Sequence, residues 1–220
     1  MWGSALQAVG WAFLPALALP VLYLLIRPRW LGALVRGLIR TIDSAVFALG
    51  EVVKWALPLL VLSVAASVFA LSIFGVATTA WLESALYFQA VIITLGAAAT
   101  LLAGQHVRVD VFHERMGERA RARVDLLGFY LLLMPVCLLI LWNSQSFVAF
   151  AWQTFEGSPE GDGIRGVFLL KTLLPAFAVT LLAQALAVAL RASLALNGET
   201  RPERPTGVAP FFRVAPKDVL

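Results

Sequence analysis

The stretch GAAATLLAGQHVRVD, residues 96–110, marks the point where a membrane-spanning helix ends and a charged segment begins. Up to Gly104 it contains only small and apolar residues, and beyond that point it is polar. Between Arg108 and Arg123 five arginines stand against three acidic residues. Because arginine and lysine are retained on the cytoplasmic side of membranes, the pattern predicts a helix that leaves the bilayer here into the cytoplasm.

The whole chain is strongly apolar. Of its 220 residues 60% are hydrophobic and only 14% are charged, and the mean hydropathy is +0.86. A soluble domain carries roughly a quarter charged residues, whereas several uncharged windows here reach about 20 residues, the length that crosses a ~30 Å hydrocarbon core. No segment shows the alternating strands, about ten residues long, of a membrane barrel. The sequence therefore predicts an all-α polytopic membrane protein.

The net charge of +4 comes from arginines in short runs beside apolar segments. Such runs are typical of membrane-topology signals, so they do not indicate nucleic-acid binding. The single cysteine, Cys137, excludes an intrachain disulfide and a cysteine-based metal site.

Four membrane helices and one additional N-terminal helix are predicted to span the bilayer. The spans cover residues 4–26, 47–74, 83–104, about 125–155, and 167–190. Two short amphipathic helices are predicted at the cytoplasmic interface, at residues 31–42 and 108–123. This arrangement puts every arginine-rich link on one side, with the N-terminus outside and the C-terminus in the cytoplasm.

The first span is the least regular, because Pro15 and Pro20 interrupt it. A surface or re-entrant segment is the alternative to a full crossing at residues 4–26. We accordingly divide the chain into an extra N-terminal membrane helix (1–30), a membrane domain (31–195) and a cytoplasmic tail (196–220).

Small residues recur at intervals of four along the third predicted span, at Gly96, Thr100 and Gly104. Small residues at this spacing let two helices approach closely in a membrane. The stripe therefore predicts a packing seam, either within this chain or with a partner subunit. The alternative is chance, since alanine-rich membrane helices often show such spacing.

Charged residues near the ends of the spans are candidates for pairing. Glu83 and Lys171 lie near the outer face and could pair with each other or with a partner, or extend to the lipid headgroups. A second group is His106, Arg108 and Asp110, which could shape the point where the helix leaves the bilayer into the cytoplasm. Arg108 and Asp110 could pair locally or with a partner. A solvated cluster at the interface is the alternative for these three.

The sequence contains none of the common catalytic motifs, so we expect no enzyme. There is no Walker A pattern, no H-E-x-x-H, no G-x-S-x-G and no G-x-G-x-x-G. His106 and His113 would lie on one helical face about 10 Å apart, which does not suit the two axial positions of a haem. We expect no cofactor and no metal site.

No ionisable residue is expected near the centre of any span. Ionisable residues at that depth mark ion pathways and proton relays. Their absence argues against a pump that works alone and favours a scaffold or auxiliary subunit.

Five short motifs carry a family resemblance. They are W-L-E at 81–83, L-G-A-A at 95–98, G-Q-H-V-R-V-D-V at 104–111, E-G-S-P-E at 156–160 and L-L-K-T-L-L-P at 169–175. Together they resemble the small membrane subunit of TRAP transporters, the DctQ type, and the last two are similar to its longer branch, labelled the mannitol and chloroaromatic type. The resemblance covers roughly residues 45–195. That family has four helices with both ends inside, so residues 1–30 would add a fifth.

The resemblance implies a subunit of a tripartite, Na⁺-gradient-driven symporter in the bacterial inner membrane. A large membrane subunit would carry the substrate and Na⁺, and a periplasmic binding protein would deliver the substrate, usually a small organic acid. The small subunit would brace the large one in the bilayer. Two alternatives from other classes are a membrane-anchor subunit of the cytochrome b type and an independent small channel.

Overall fold

The computed structural model describes residues 15–26, 29–76, 78–104 and 116–200, together with residues 202 and 205. All regular elements within these ranges are helical. They are α1 (Pro15–Ile26), α2 (Arg29–Val53), α3 (Ala56–Phe74), α4 (Thr79–Ala103), α5 (Glu118–Gly128), a π-helical turn (Phe129–Leu133), α6 (Met134–Thr154) and α7 (Val167–Leu196).

Among the residues that the structure describes, four stretches are long and apolar enough to cross a membrane. They are Leu31–Phe74, Thr79–Ala103, Glu118–Thr154 and Val167–Leu196. The predicted all-α membrane fold is thereby confirmed.

Helix α7 is the element around which the others pack. Helices α2, α4, α5 and α6 all contact it. Its second half is buried almost throughout, with leucines such as Leu182, Leu186 and Leu190 filling the core. Buried alanines between them, including Ala185 and Ala189, let neighbouring backbones come close.

Helix α1 packs against the C-terminal half of α7 and against the π-helical turn. The hydroxyl of Tyr130 donates to the carbonyl of Leu17 at 2.5 Å, and that of Ser193 donates to the carbonyl of Pro20 at 3.0 Å. At 1.5 Å per residue α1 rises only roughly 18 Å. A complete crossing by the predicted span 4–26 therefore depends on residues 4–14, which lie outside the described residues.

The sequence predicts an interfacial helix at residues 31–42 and a separate span that begins at residue 47. The structure shows no break between the two. Helix α2 continues without interruption to Val53, and the chain bends at Lys54 and Trp55, before α3. The reason is a continuous buried line along α2, formed by Leu31, Val35, Ile39, Asp43 and Val46. Leu34, one of the apolar residues of the predicted interfacial helix 31–42, does not join this line and is 60% exposed.

The Lys54 ammonium group contacts the carboxylate of Glu51 at this bend. The two residues are three positions apart at the end of α2, a helical spacing that brings their side chains together.

The span that contains Pro135 is longer than predicted. Helix α5 begins at Glu118, not near Asp125, so the described end of the predicted 108–123 helix is continuous with the span. The π-helical turn lies directly before Pro135, which has no N–H to donate and crowds the carbonyl four residues earlier. A wider turn at this point accommodates both effects.

Candidate functional site

The acidic loop, residues 155–166, joins α6 to α7 and is held by a carboxylate of α4. The Oε1 atom of Glu83 accepts a hydrogen bond from the hydroxyl of Ser158, and its Oε2 atom accepts the backbone N–H of Ile164 at 2.6 Å. Gly163 lies beside this contact, where a Cβ would come within 2.2 Å of Oγ of Ser158. The loop therefore fits closely over the end of α4.

Two further contacts fasten the acidic loop at its tip and at its base. At the tip, Oδ2 of Asp162 accepts the backbone N–H of Thr79 at 2.9 Å, and this hydrogen bond holds the pKa of the Asp162 carboxyl below its ordinary value. At the base, Nζ of Lys171 lies 2.5 and 2.7 Å from the two carboxylate oxygens of Glu156. The same ammonium group lies 4.1 Å from the centre of the Phe147 ring, within the range of a cation–π contact.

Glu83 and Lys171 do not pair with each other, because each binds a different part of the acidic loop. Both were candidate interface residues, and a contact with a partner subunit stays a prediction for each. Their spacing in the sequence gave no sign that the loop would lie between them.

A second polar cluster is buried inside the opposite half of the bundle. The guanidinium of Arg191 donates to both carboxylate oxygens of Asp43, with Nη1 at 3.2 Å from Oδ1. The amide of Gln184 donates to the same Oδ1 at 3.2 Å. Asp43 is 2% exposed and Arg191 is 7% exposed, so the pair is removed from both solvent and lipid.

This buried cluster was not predicted from the sequence, because the last span was predicted to end at residue 190, just before Arg191. In the structure α7 continues to Leu196. Two signals were present in the sequence. Asp43 lies on the otherwise apolar line of α2, and Arg191 interrupts the apolar run from 185 to 196.

A third contact closes the bundle beyond the end of α7. The carboxylate of Glu199 accepts a hydrogen bond from the hydroxyl of Tyr23 and another from Nη1 of Arg36 at 2.9 Å. Since Tyr23 belongs to α1 and Arg36 to α2, one acidic side chain joins three segments that are distant in sequence.

The predicted small-residue stripe on α4 makes little close contact within this chain. A Cβ on Gly96 would lie 3.9 Å from Val53, an ordinary van der Waals distance. The hydroxyl of Thr100 donates to the carbonyl of Ala97 at 2.8 Å. Gly104 ends α4 with φ of 71°, a left-handed conformation that explains a glycine there by itself.

The close approach of two helices in this chain falls elsewhere, between α2 and α4. A Cβ on Gly50 would lie 2.8 Å from the Cβ of Ala99. The predicted seam at Gly96, Thr100 and Gly104 is therefore still a prediction, and the described residues give Gly96 no tighter contact than the one with Val53.

The remaining candidates, His106, Arg108 and Asp110, lie outside the described residues. Among the residues that the structure does describe, no three His, Cys, Asp or Glu side chains are grouped so that they could hold a metal ion.

Comparison with known proteins gives one match. The family model of the DctQ component of tripartite ATP-independent periplasmic transporters matches residues 60–195. The match covers more than half of the chain and includes α4, the acidic loop and nearly all of α7. No curated protein and no solved structure matches the chain.

Proposed function

Because the chain belongs to the DctQ family of tripartite ATP-independent periplasmic transporters, we propose that it is a small membrane subunit that braces a large transport subunit. Members of this family are transporter components and not enzymes. In this proposal the large subunit carries small organic acids by symport with Na⁺, and a periplasmic binding protein delivers them. This chain binds no cofactor, and the Na⁺ sites belong to the partner.

The proposal rests on the family match over residues 60–195. The internal contacts support a bracing role, because they fix helices to one another at both ends of the bundle. The acidic loop joins α4, α6 and α7 through Glu83, Glu156 and Lys171. The Asp43–Arg191 pair joins α2 to α7 at the other end. A subunit held in one arrangement gives a moving partner a fixed surface.

We place the protein in the bacterial inner membrane, with the acidic loop in the periplasm and the arginine-rich links in the cytoplasm. The direction of α1 supports an outward N-terminus. Pro20 contacts Ser193, and the carbonyl of Tyr23 accepts a hydrogen bond from Asn197 at 3.4 Å, so α1 and α7 run in parallel. Labelling of Ser4→Cys in intact cells, in a Cys137→Ala background, tests this orientation, and protection of that cysteine from outside would contradict it.

Reconstitution tests the function directly. The chain, the large subunit and the binding protein are combined in proteoliposomes with a Na⁺ gradient, and each component is left out in turn. We expect uptake only when all three are present. Full uptake without this chain would contradict the bracing role, and full uptake by this chain alone would contradict its assignment as an auxiliary subunit.

A further inference from the structure

One face of α4 is left uncovered by the rest of the chain. Its outward positions are Leu82, Leu86, Gln89 and Ile93, separated by steps of four, three and four residues. The three aliphatic side chains are 60%, 59% and 61% exposed, in the order Leu82, Leu86 and Ile93, and Gln89 is exposed between them. Steps of three and four give the 3.5-residue repeat by which two helices pack along a shared seam.

The same repeat continues along α4 to Gly96 and Thr100, both of which are partly exposed. At 100° per residue these positions stay within about 40° of the line through Leu82. Small residues at this end of the line would let a neighbouring backbone come closer than the leucines allow at the other end. We call the six residues from Leu82 to Thr100 on this line the outer seam.

Contacts within the chain use the opposite side of α4. Ala98 and Leu102 are 0% and 1% exposed and belong to the core with Val46 of α2. Ser84 contacts Ser63 of α3, on the same inner side. From Leu82 to Ile93 the outer seam therefore points away from the helices that the structure describes, and at Gly96 it borders α2, where a Cβ would lie 3.9 Å from Val53.

Gln89 is the residue of the outer seam whose side chain needs a hydrogen-bond partner. Its side-chain amide is exposed and makes no hydrogen bond within the described part of the chain. It lies about 9 Å along α4 from Glu83, which binds the acidic loop, and about 22 Å from Gly104 at the other end. Helix α4 is long and apolar enough to cross a ~30 Å hydrocarbon core. At about 9 Å from one end of such a span, an amide without a hydrogen-bond partner costs free energy.

A second amide on the surface of the bundle behaves differently. Asn143 of α6 is also exposed, but its Nδ2 donates to the carbonyl of Leu139 one turn earlier, at 2.9 Å. Its own helix thus satisfies part of its hydrogen-bonding capacity. Gln89 has no such internal partner among the described residues, so the two amides give a matched comparison.

We propose that the outer seam of α4 receives a transmembrane helix of the large subunit, which hydrogen-bonds Gln89. This inference rests on the proposed function and specifies the docking surface. Lipid tails have no hydrogen-bonding groups, whereas a helix with a Ser, Thr, Asn or Gln side chain at the facing position has them. A single polar residue in an apolar seam also fixes the register of the two helices.

The test compares Gln89→Leu with Asn143→Leu in cells that co-express the large subunit. We expect Gln89→Leu to leave the yield and thermal stability of the isolated chain unchanged or higher, because a leucine suits lipid better than a free amide. We expect it to weaken association with the large subunit about 3- to 30-fold, the range given by one interhelical hydrogen bond. Asn143→Leu should leave that association unchanged.

Cysteine crosslinking supplies an independent measurement. Single cysteines are placed along positions 82–100 and at position 143, in a Cys137→Ala background. We expect crosslinks to the large subunit to be strongest at the outer-seam positions, centred on 89 and 93, and weak at positions 84, 91 and 98 on the opposite side of α4. Crosslinks to a second copy of this chain, crosslinks to the large subunit only from position 143, or none from α4 would each overturn the proposal.

These outcomes separate this proposal from the proposed function. If the unmodified chain associates with the large subunit and Gln89→Leu associates equally well, the docking surface is wrong and the subunit assignment stands. If the unmodified chain does not associate with the large subunit at all, the proposed function itself fails.

Discussion

Two ion pairs join α7 to the rest of the molecule, and they differ chiefly in burial. Arg191 and Asp43 have side chains 8% and 2% exposed, whereas Lys171 and Glu156 have side chains 18% and 32% exposed. Both pairs bring a cation of α7 against a carboxylate from another segment. The buried pair cannot lose one member without leaving an isolated charge. In the partly exposed pair, water can replace a lost partner. Loss of an ion pair should therefore destabilise the protein far more at Asp43–Arg191 than at Glu156–Lys171.

The largest expected effect is at the buried pair. Arg191→Ala leaves the Asp43 carboxylate buried without its guanidinium, and removal of one member of a buried pair costs about 3–5 kcal/mol. We expect a correspondingly large loss of stability against thermal or detergent-induced unfolding of the purified chain.

The control for this prediction replaces both charges together. Asp43→Leu combined with Arg191→Met removes the pair without isolating a charge, a replacement that is often neutral or stabilising. The remaining cost is that of the Gln184 amide, which loses its acceptor, at about 1–3 kcal/mol. A double variant as unstable as Arg191→Ala would show that burial of an unpaired charge is not the cause.

The acidic loop offers a test that depends on shape and not on charge. Gly163→Ala places a methyl group 2.2 Å from Oγ of Ser158 and 2.9 Å from Oε1 of Glu83. We expect a destabilisation of about 1–3 kcal/mol, typical of overpacking. It should appear as lost hydrogen-exchange protection at the backbone N–H of Ile164.

Gly161→Ala is the matched control, since nothing lies within 4 Å of a Cβ at that position. We expect it to stay within about 0.5 kcal/mol of the unmodified chain. Equal effects of the two substitutions would show that the loop is not fitted closely against Glu83.

Loss of the partly exposed pair between Lys171 and Glu156 should destabilise the protein only slightly. Lys171→Ala removes the partner of Glu156, and partly exposed pairs contribute only about 0–1 kcal/mol. Lys171→Met removes the charge but keeps an apolar side chain against Phe147, so the difference between this variant and the unmodified chain isolates the charge. A loss as large as that of Arg191→Ala would contradict the comparison between the two pairs.

The smallest expected effect is a pH dependence at the tip of the acidic loop. The pKa of Asp162 is lowered by the N–H of Thr79, so its contribution is complete above the ordinary aspartate pKa of about 3.9 and is lost as pH falls through the lowered value. Hydrogen-exchange protection of the Thr79 amide, corrected for the intrinsic rate, should decline in that acidic range. Asp162→Asn should remove the pH dependence, and an unchanged decline in that variant would rule out this cause.

The sequence was sufficient for the class of fold and for the four long apolar helices, because hydropathy over about 20 residues is a local property. It predicted Glu83 and Lys171 near the outer face, and in the structure both lie at one end of the bundle, against the acidic loop. It could not assign their partners, because those lie in a loop whose path depends on the packing of α4 against α7.

The buried pair was missed for a related reason. Asp43 and Arg191 are 148 residues apart in sequence, and positive charge at the end of an apolar run usually marks the membrane interface. Burial becomes evident only when α2 lies against α7. The π-helical turn near Pro135 was equally inaccessible, since proline predicts a disturbance and does not specify its form.

The central claim is that this chain braces a transporter through its fold and does not conduct ions through its own buried charges. Uptake by the complete reconstituted complex containing the Asp43→Leu, Arg191→Met chain tests it most directly, with assembly of the complex checked on the same sample. We expect Na⁺-driven uptake at the level of the unmodified complex, because the pair serves only to hold α2 on α7. Loss of uptake from a complex that assembles normally would contradict the claim, because the two charges would then take part in transport.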